Sequence, residues 1–454
     1  MAKKKSNPGR RRQTRAIDPV QIWLLCFLPC FLLLVNSTGF SRISEFKTAV
    51  FYFLSGVLAV ITLIHLIVEA VRARKGGPKA VFSSLGWSPV RIAALCYLGF
   101  TLLSTILSPY GGTAWYNAKD HGNMVSELCY LLIFYAVSRW ARPDQGLKYC
   151  FLITAAVYCG VFALQLLHGN PLGLYPEGYD YFSLYKMRSA YHFAATTGNA
   201  DLVSVILCLI VPISLGIGLT ERGWKRTPGL ALAVLSLAEL LLLDVLCGVV
   251  GLFLGFVVSA LVLARVKPRT RRVIFGAVVA LGVGFLGFLW YVPTPIPFFR
   301  EIHSILHGEI SDSFGSGRVE IWRKMLAKLT PRQILFGCGP DTVRLTGLEP
   351  FKTYGPDGAL LRSASITDAH CWPLQILYCQ GIFALLSLIA AVALAFVPWF
   401  RAKGRSPAVE ILGAALLCFL FAMLFCFTSV IVMPLFWTLL GLLTAAGARR
   451  EPER

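Results

Sequence analysis

Residues 229–264 read GLALAVLSLAELLLLDVLCGVVGLFLGFVVSALVLA, a stretch with two carboxylates, Glu239 and Asp244, and no lysine or arginine. A bilayer core takes about 20 apolar residues as helix, so the stretch is close to two crossings. We read it as a hairpin turning at Cys247-Gly248. Lipid offers no partner to a backbone amide, so spanning segments are helices or closed barrels. This run is too long and too evenly apolar for barrel strands, which makes the chain a helical membrane protein.

The rest of the sequence agrees. Of 454 residues, 56% are apolar and 15% charged, where a soluble domain carries about 25% charged. Further apolar runs fall at 19–36, 49–71, 90–108, 122–139, 149–168, 199–220, 273–291, 372–400, 407–429 and 431–447. With the split hairpin, the expected fold is an all-α, polytopic membrane protein with about twelve transmembrane helices and a large, partly helical outer loop. The expected divisions are a basic cytoplasmic tail (1–18), transmembrane helices one to nine (19–291), an extracytoplasmic loop (292–371), three further helices (372–447) and a cytoplasmic tail (448–454). No small-residue cleavage site follows the first run, so it reads as a membrane helix and not as a signal peptide.

The net charge is +20. Most of the basic residues lie in short segments between apolar runs, starting with Lys3, Lys4, Lys5, Arg10, Arg11, Arg12 and Arg15. That is the positive-inside pattern, not a nucleic-acid surface, and it puts both termini in the cytoplasm. His121, His168, His192, His303, His307 and His370 then face outward, and His65 lies within a span. Most of the 13 cysteines sit in apolar runs as small hydrophobic residues. Cys338 and Cys371 lie in the outer loop, where spacing alone cannot establish a bridge.

Four features could carry chemistry. The first is Gly317-Arg318-Val319-Glu320-Ile321-Trp322-Arg323-Lys324-Met325-Leu326, an amphipathic helix that Ser316 or Gly317 would cap and Pro331 would stop. At 100° per residue, Arg318, Trp322, Met325 and Leu329 share one face, with Glu320, Arg323, Lys324 and Lys328 elsewhere. Arg318 therefore points inward and needs a partner, either an anion such as phosphate or an internal carboxylate. The second is Asp368-Ala369-His370. It comes just before Trp372 and Pro373, which suit a first helical turn at the membrane surface. There His370 could take a proton from an attacking hydroxyl, or could simply be solvated. The third is the aromatic and basic loop 169–198, with Tyr175, Tyr179, Tyr181, Phe182, Tyr185, Tyr191, Phe193, Lys186, Arg188 and His192. It suits sugar rings and phosphate, or an interfacial belt. The fourth is the 109–122 turn with Trp115, Lys119, Asp120 and His121. There is no Walker A loop, dinucleotide fingerprint or His-Glu-x-x-His. His303 and His307 are four apart, but without a third ligand they are a poor zinc signal. Glu69, Glu239 and Asp244 are candidate intramembrane carboxylates.

Ser316-Gly317-Arg318, Trp322, Phe336-Gly337-Cys338-Gly339-Pro340, Ala369-His370, Leu374-Gln375 and Gly381-Ile382 together resemble the shared block of the O-antigen ligase and O-antigen polymerase superfamily. Thr197-Gly198-Asn199 with Pro212 is similar to that family's Gly-Asn-Pro-Asn segment. Arg188 lies where an upstream arginine is common, and Lys119 where an arginine is usual. The resemblance implies a metal-independent integral-membrane glycosyltransferase with no cofactor, in a bacterial cytoplasmic (inner) membrane. Its donor would be a glycan on undecaprenyl diphosphate, and its acceptor a hydroxyl on a glycan, lipid or protein. Arg318 and Arg188 would hold the diphosphate and His370 would serve the acceptor hydroxyl. Lys119, Trp322 and Arg323 would complete the substrate-binding set. Three positions depart from the pattern: Cys371 stands for Asn, Gln380 for Glu, and Leu246-Cys247-Gly248 for Ser-Arg-Gly. Ligase and polymerase share the donor and are not separated by sequence. A polysaccharide transporter or flippase, which would depend on Glu239 or Asp244, and an inactive assembly scaffold are the readings from other classes.

Overall fold

The computed structural model describes residues 17–117, 122–167, 169–170, 172–175, 194–243, 245–262, 268–293, 297–312, 314–354, 360–401 and 406–448. Their helices are α1 (Pro19–Leu33), α2 (Ile43–Ala73), α3 (Gly77–Ser84), α4 (Pro89–Leu107), α5 (Gly111–Trp115), α6 (Met124–Trp140), α7 (Gln145–Leu166), α8 (Ala200–Thr220), α9 (Arg226–Leu242), α10 (Leu246–Val262), α11 (Pro268–Tyr291), α12 (Pro297–Leu306), α13 (Phe314–Lys328), α14 (Pro331–Phe336), α15 (Trp372–Gln380), α16 (Ile382–Arg401), α17 (Pro407–Ala422) and α18 (Met433–Ala448). One antiparallel hairpin, β1 (Phe351–Tyr354) with β2 (Leu360–Ala364), adds a small strand element to the expected all-α fold.

Helix starts follow from local chemistry. Asp18, Ser88, Asn123, Asp144, Asn199 and Ser406 each accept a backbone N–H of the helix they open, which satisfies amides that a helix leaves bare. Five segments are long and apolar enough to cross a membrane: Gly39–Ser84, Pro89–Leu107, Gln145–Leu166, Ala200–Thr220 and Ile382–Trp399. Shorter apolar helices include Pro19–Leu33, Leu246–Ala260, Pro407–Ala422 and Met433–Ala448. The chain is thus a helical, multi-pass membrane protein. Helix α18 is buried on every side from Met433 to Ala446, as expected of a helix that is apolar all round. It belongs to the main buried core, packing against α6, α16 and α17.

Four expected boundaries are corrected. The 229–264 hairpin breaks between Leu242 and Leu246, ahead of Cys247-Gly248. Gly248 instead serves close packing, since a Cβ there would lie 2.7 Å from side-chain atoms of both Leu240 and Ser204. Gly251 and Gly255 continue the stripe against Ala422 and Cys418 of α17, with small residues letting helix backbones approach. The 372–400 run is two helices, broken at Gly381 (φ +86°). The runs 407–429 and 431–447 are separated by a ten-residue irregular linker, 423–432. Its apolar residues hide it from hydropathy, and burial in protein permits such backbone at membrane depth. Finally, α13 begins at Phe314, before the expected Ser316 or Gly317 cap, and Pro331 opens α14 behind a Thr330–Gln333 capping box.

Candidate functional site

The site forms where the segment expected to lie outside the membrane, the outer segment, meets α15. Met325 is fully buried, Ile321 is buried and Trp322 half-buried, so the expected inward stripe of α13 is the packed one. This stripe, with Cys338, Val343, Ile366, Ala369, Tyr378 and Cys379, is a second small core joining the outer segment to α15. The glycines at 337 and 381 make the joint possible. A Cβ on Gly337 would lie 2.2 Å from the Cys379 carbonyl oxygen, and one on Gly381 would lie 2.3 Å from that of Leu335. Gly337 (φ 72°, ψ −171°) and Gly381 (φ 86°, ψ 172°) occupy backbone space essentially reserved for glycine.

His370 stands on this joint in the left-handed region, at φ +48°. The backbone around it is held tightly. Its own N–H donates to Asp368 Oδ1 at 2.7 Å, and Thr428 Oγ1 donates to Asp368 Oδ2 at 3.1 Å. Gln375 Oε1 accepts the Ala369 N–H at 2.9 Å, and Trp322 Nε1 donates to the Ala369 carbonyl at 2.8 Å. The ring meets Phe427 edge-on at 5.4 Å. Cys371 caps α15 by backbone conformation without a side-chain bond, and Pro373 lies in the first turn as expected.

Arg318 is one helical turn before Trp322, on the same inward side. Its Nη1 donates to the Gly315 carbonyl at 2.6 Å, and its Nη2 is 3.9 Å from Asp201 Oδ2. Its Nε is buried and has no hydrogen-bond partner among the described residues. Asp201 lies in the first turn of α8, whose start Asn199 fixes by accepting from the Asp201 and Leu202 N–H groups. Arg318 and Trp322 are a turn apart on α13, and the Trp322 indole bonds to Ala369 beside His370, so the Arg318 and His370 sides lie close together. The guanidinium, a buried carboxylate-oriented histidine loop and an aromatic floor are thus presented together.

The other candidates divide clearly. Trp322 supports the histidine loop and also meets Phe425 at 6.4 Å. Arg323 faces away, 64% exposed, and pairs with Asp312. Arg188 and Lys119 lie outside the described residues, as do most aromatics of 169–198 and Asp244. Beside Lys119, Asn117 donates to Asp341 Oδ2 at 2.7 Å, tying that turn to the outer segment. Glu69 pairs with Arg139 and accepts from Trp140, a structural role. The His303 and His307 rings are tilted to each other with centroids 4.3 Å apart, and His307 stacks on Trp290 at 4.5 Å. Among the described residues no cluster of three or more metal-ligating side chains forms. The departure at Gln380 has a physical reason: its Nε2 donates to the buried Glu127 at 3.3 Å, where a second carboxylate would repel.

Asp201, Phe425, Phe427 and Thr428 are site residues the sequence reading passed over. Asp201 in the first turn of a span, and the polar pair Thr428-Ser429 between two apolar runs, were the available signals.

Residues 231–389 match the family model described as O-antigen ligase. Over this stretch, about a third of the chain, the sequence is similar to that family, in line with the motif resemblance. A comparison with curated proteins gives no match.

Proposed function

We propose that the protein is an O-antigen ligase-like glycosyltransferase, moving a glycan from undecaprenyl diphosphate to an acceptor hydroxyl on the outer face of a bacterial cytoplasmic membrane. The carrying observation is Arg318: a guanidinium with one buried N–H unpartnered and its carboxylate at 3.9 Å has capacity left for an anion. A buried donor without an acceptor costs about 1–3 kcal/mol. Two diphosphate oxygens would satisfy it in the bidentate geometry that arginine favours.

The acceptor oxygen attacks the anomeric carbon while the bond from that carbon to the diphosphate oxygen breaks. The acceptor proton passes to His370, and the pair of electrons leaves on the diphosphate. Arg318, with Arg188 and Lys119 as further proposed contacts, offsets the charge that grows there, which is where fixed donors lower a barrier most. Trp322 and Asp368 orient the histidine loop. Attack opposite the leaving group inverts the anomeric centre.

The test is the glycan profile of cells whose sole copy carries His370→Ala or Arg318→Ala. Long polymer accumulating on the lipid carrier identifies a ligase, and single lipid-linked repeats identify the polymerase reading of the same superfamily. An unchanged profile removes both. A transporter has one observation in its favour. Glu239 is 1% exposed, and neither of its oxygens makes a hydrogen bond among the described residues, although the Cys159 thiol faces it. Loss of export in Glu239→Gln with normal transfer by His370→Ala would select that reading.

A further inference from the structure

Cys338 does not face Cys371, the other cysteine of the outer segment; it faces Cys379. Cys371 caps the start of α15 and Cys379 lies near its end, about 12 Å further along the axis. The Cys338 N–H donates to the Tyr378 carbonyl at 3.1 Å and the Gly339 N–H to the Cys379 carbonyl at 2.7 Å. A Cβ on Gly337 would come within 2.3 Å of the Cys379 carbonyl carbon. The two backbones therefore touch on both sides of Cys338, whose thiol donates to the Tyr378 carbonyl at 3.3 Å, and both cysteines lie in the same small core. Thr342 Oγ1 donates to the Cys338 sulfur at 3.2 Å, and Gln375 Nε2 to that of Cys379 at 3.6 Å.

We propose that Cys338 and Cys379 are a disulfide-forming pair, and that their bridge staples the outer segment to the α15–α16 break. The ring it closes contains the β1–β2 hairpin, Asp368 and His370. The bridge would thus keep the histidine loop seated against Trp322. This rests on the reading that residues 292–371 face outward, because disulfides persist in oxidising compartments and not in a reducing cytoplasm. The oxidant is a disulfide-bearing oxidoreductase. The Cys338 thiolate attacks its disulfide, giving a mixed disulfide and one released thiolate. Cys379, losing its proton, then attacks the Cys338 sulfur and releases the second thiol. Two thiols are oxidised, with two electrons and two protons passing to the oxidant. Both sulfurs are buried once the segment has docked, so exchange belongs to the folding step before docking.

The test dissolves native membranes in SDS with excess N-ethylmaleimide in weak acid, so that buried thiols are trapped too, digests without reductant, and reads the peptides by mass spectrometry. The expected result is a peptide pair joined through Cys338 and Cys379 that separates on reduction. Reductant should also lower the unfolding temperature of the purified wild type, and leave that of the Cys338→Ser, Cys379→Ser double variant unchanged. Alkylation of both cysteines by this treatment overturns the proposal. A companion variant, Lys328→Cys at an exposed position of α13, is labelled with a membrane-impermeant maleimide on cells stripped of any outer envelope. If it labels while both native cysteines are alkylated, the disulfide alone is wrong. If it does not label, the outer-face reading falls, and the proposed transfer reaction with it.

Discussion

The two halves of the site are held in opposite ways. The backbone around His370 is fixed from four directions: Asp368, Gln375, Trp322 and, through Asp368, Thr428 of the α17–α18 linker. Arg318 has a bond to a carbonyl of its own first turn, a carboxylate at 3.9 Å, and an N–H with nothing to bind among the described residues. A left-handed conformation at a non-glycine residue costs on the order of 1–2 kcal/mol. The His370 side meets that cost with hydrogen bonds made inside the protein. The Arg318 side leaves a cost unmet, as expected where the missing partner arrives with a ligand. The proposed reaction asks for this difference: a general base must be oriented before the reaction, whereas a diphosphate clamp is completed by the diphosphate.

Breaking the foundation of the firm half should have the largest effect. Gly381→Ala forces a side chain into backbone space reserved for glycine, costing on the order of 1–3 kcal/mol, and drives its Cβ to 2.3 Å from the Leu335 carbonyl oxygen. Thermal unfolding in detergent should show a clearly lowered midpoint with little folded protein recovered. A midpoint like that of wild type would mean the α15–α16 break is not the rigid base described here.

The next effect is on activity. Asp368→Ala removes the acceptor of the His370 N–H and the partner of Thr428. A hydrogen bond to a charged group is worth roughly 1.5–3 kcal/mol, so glycan transfer should fall about 10- to 100-fold. Asp368→Asn, which keeps an oxygen acceptor, should lose less. On the loose half, Asp201→Asn weakens a partly exposed pair at 3.9 Å, worth up to about 1 kcal/mol. Transfer should drop by less than about tenfold. If Asp201→Asn is as damaging as Asp368→Ala, the contrast between the halves is wrong and Asp201 acts directly on the reaction.

The sequence carried the inward stripe of α13 and the helical start after His370, because periodicity and proline position are local properties. It carried little of what binds these parts together. Gly248 reads like a turn and is a packing contact; Gly381 reads like a mid-helix residue and is the break. The difference lies in the neighbour, Ser204 in one case and the Leu335 carbonyl in the other, and no local pattern names that neighbour. The 423–432 linker was invisible for a related reason. Phe425 and Phe427 floor the site with the same residue type that fills a span, so composition cannot tell them apart.

Arg323 gives the smallest expected effect and the sharpest check on reading a helix by its residue types. It is five residues from Arg318, about 500° around the helix, which leaves the two roughly 140° apart. In the structure Arg323 is 64% exposed and paired with Asp312. A solvent-exposed pair contributes about 0–1 kcal/mol, so Arg323→Ala should leave the unfolding midpoint nearly unchanged. Transfer should stay within about twofold of wild type, since nothing the side chain touches leads to His370. The same assay that reads Asp201→Asn reads this variant. A tenfold loss would show that a substrate reaches over the outer face of α13 to Arg323. The site would then extend across both faces of the helix, and the distinction between a firm inner half and a loose one would describe only part of it.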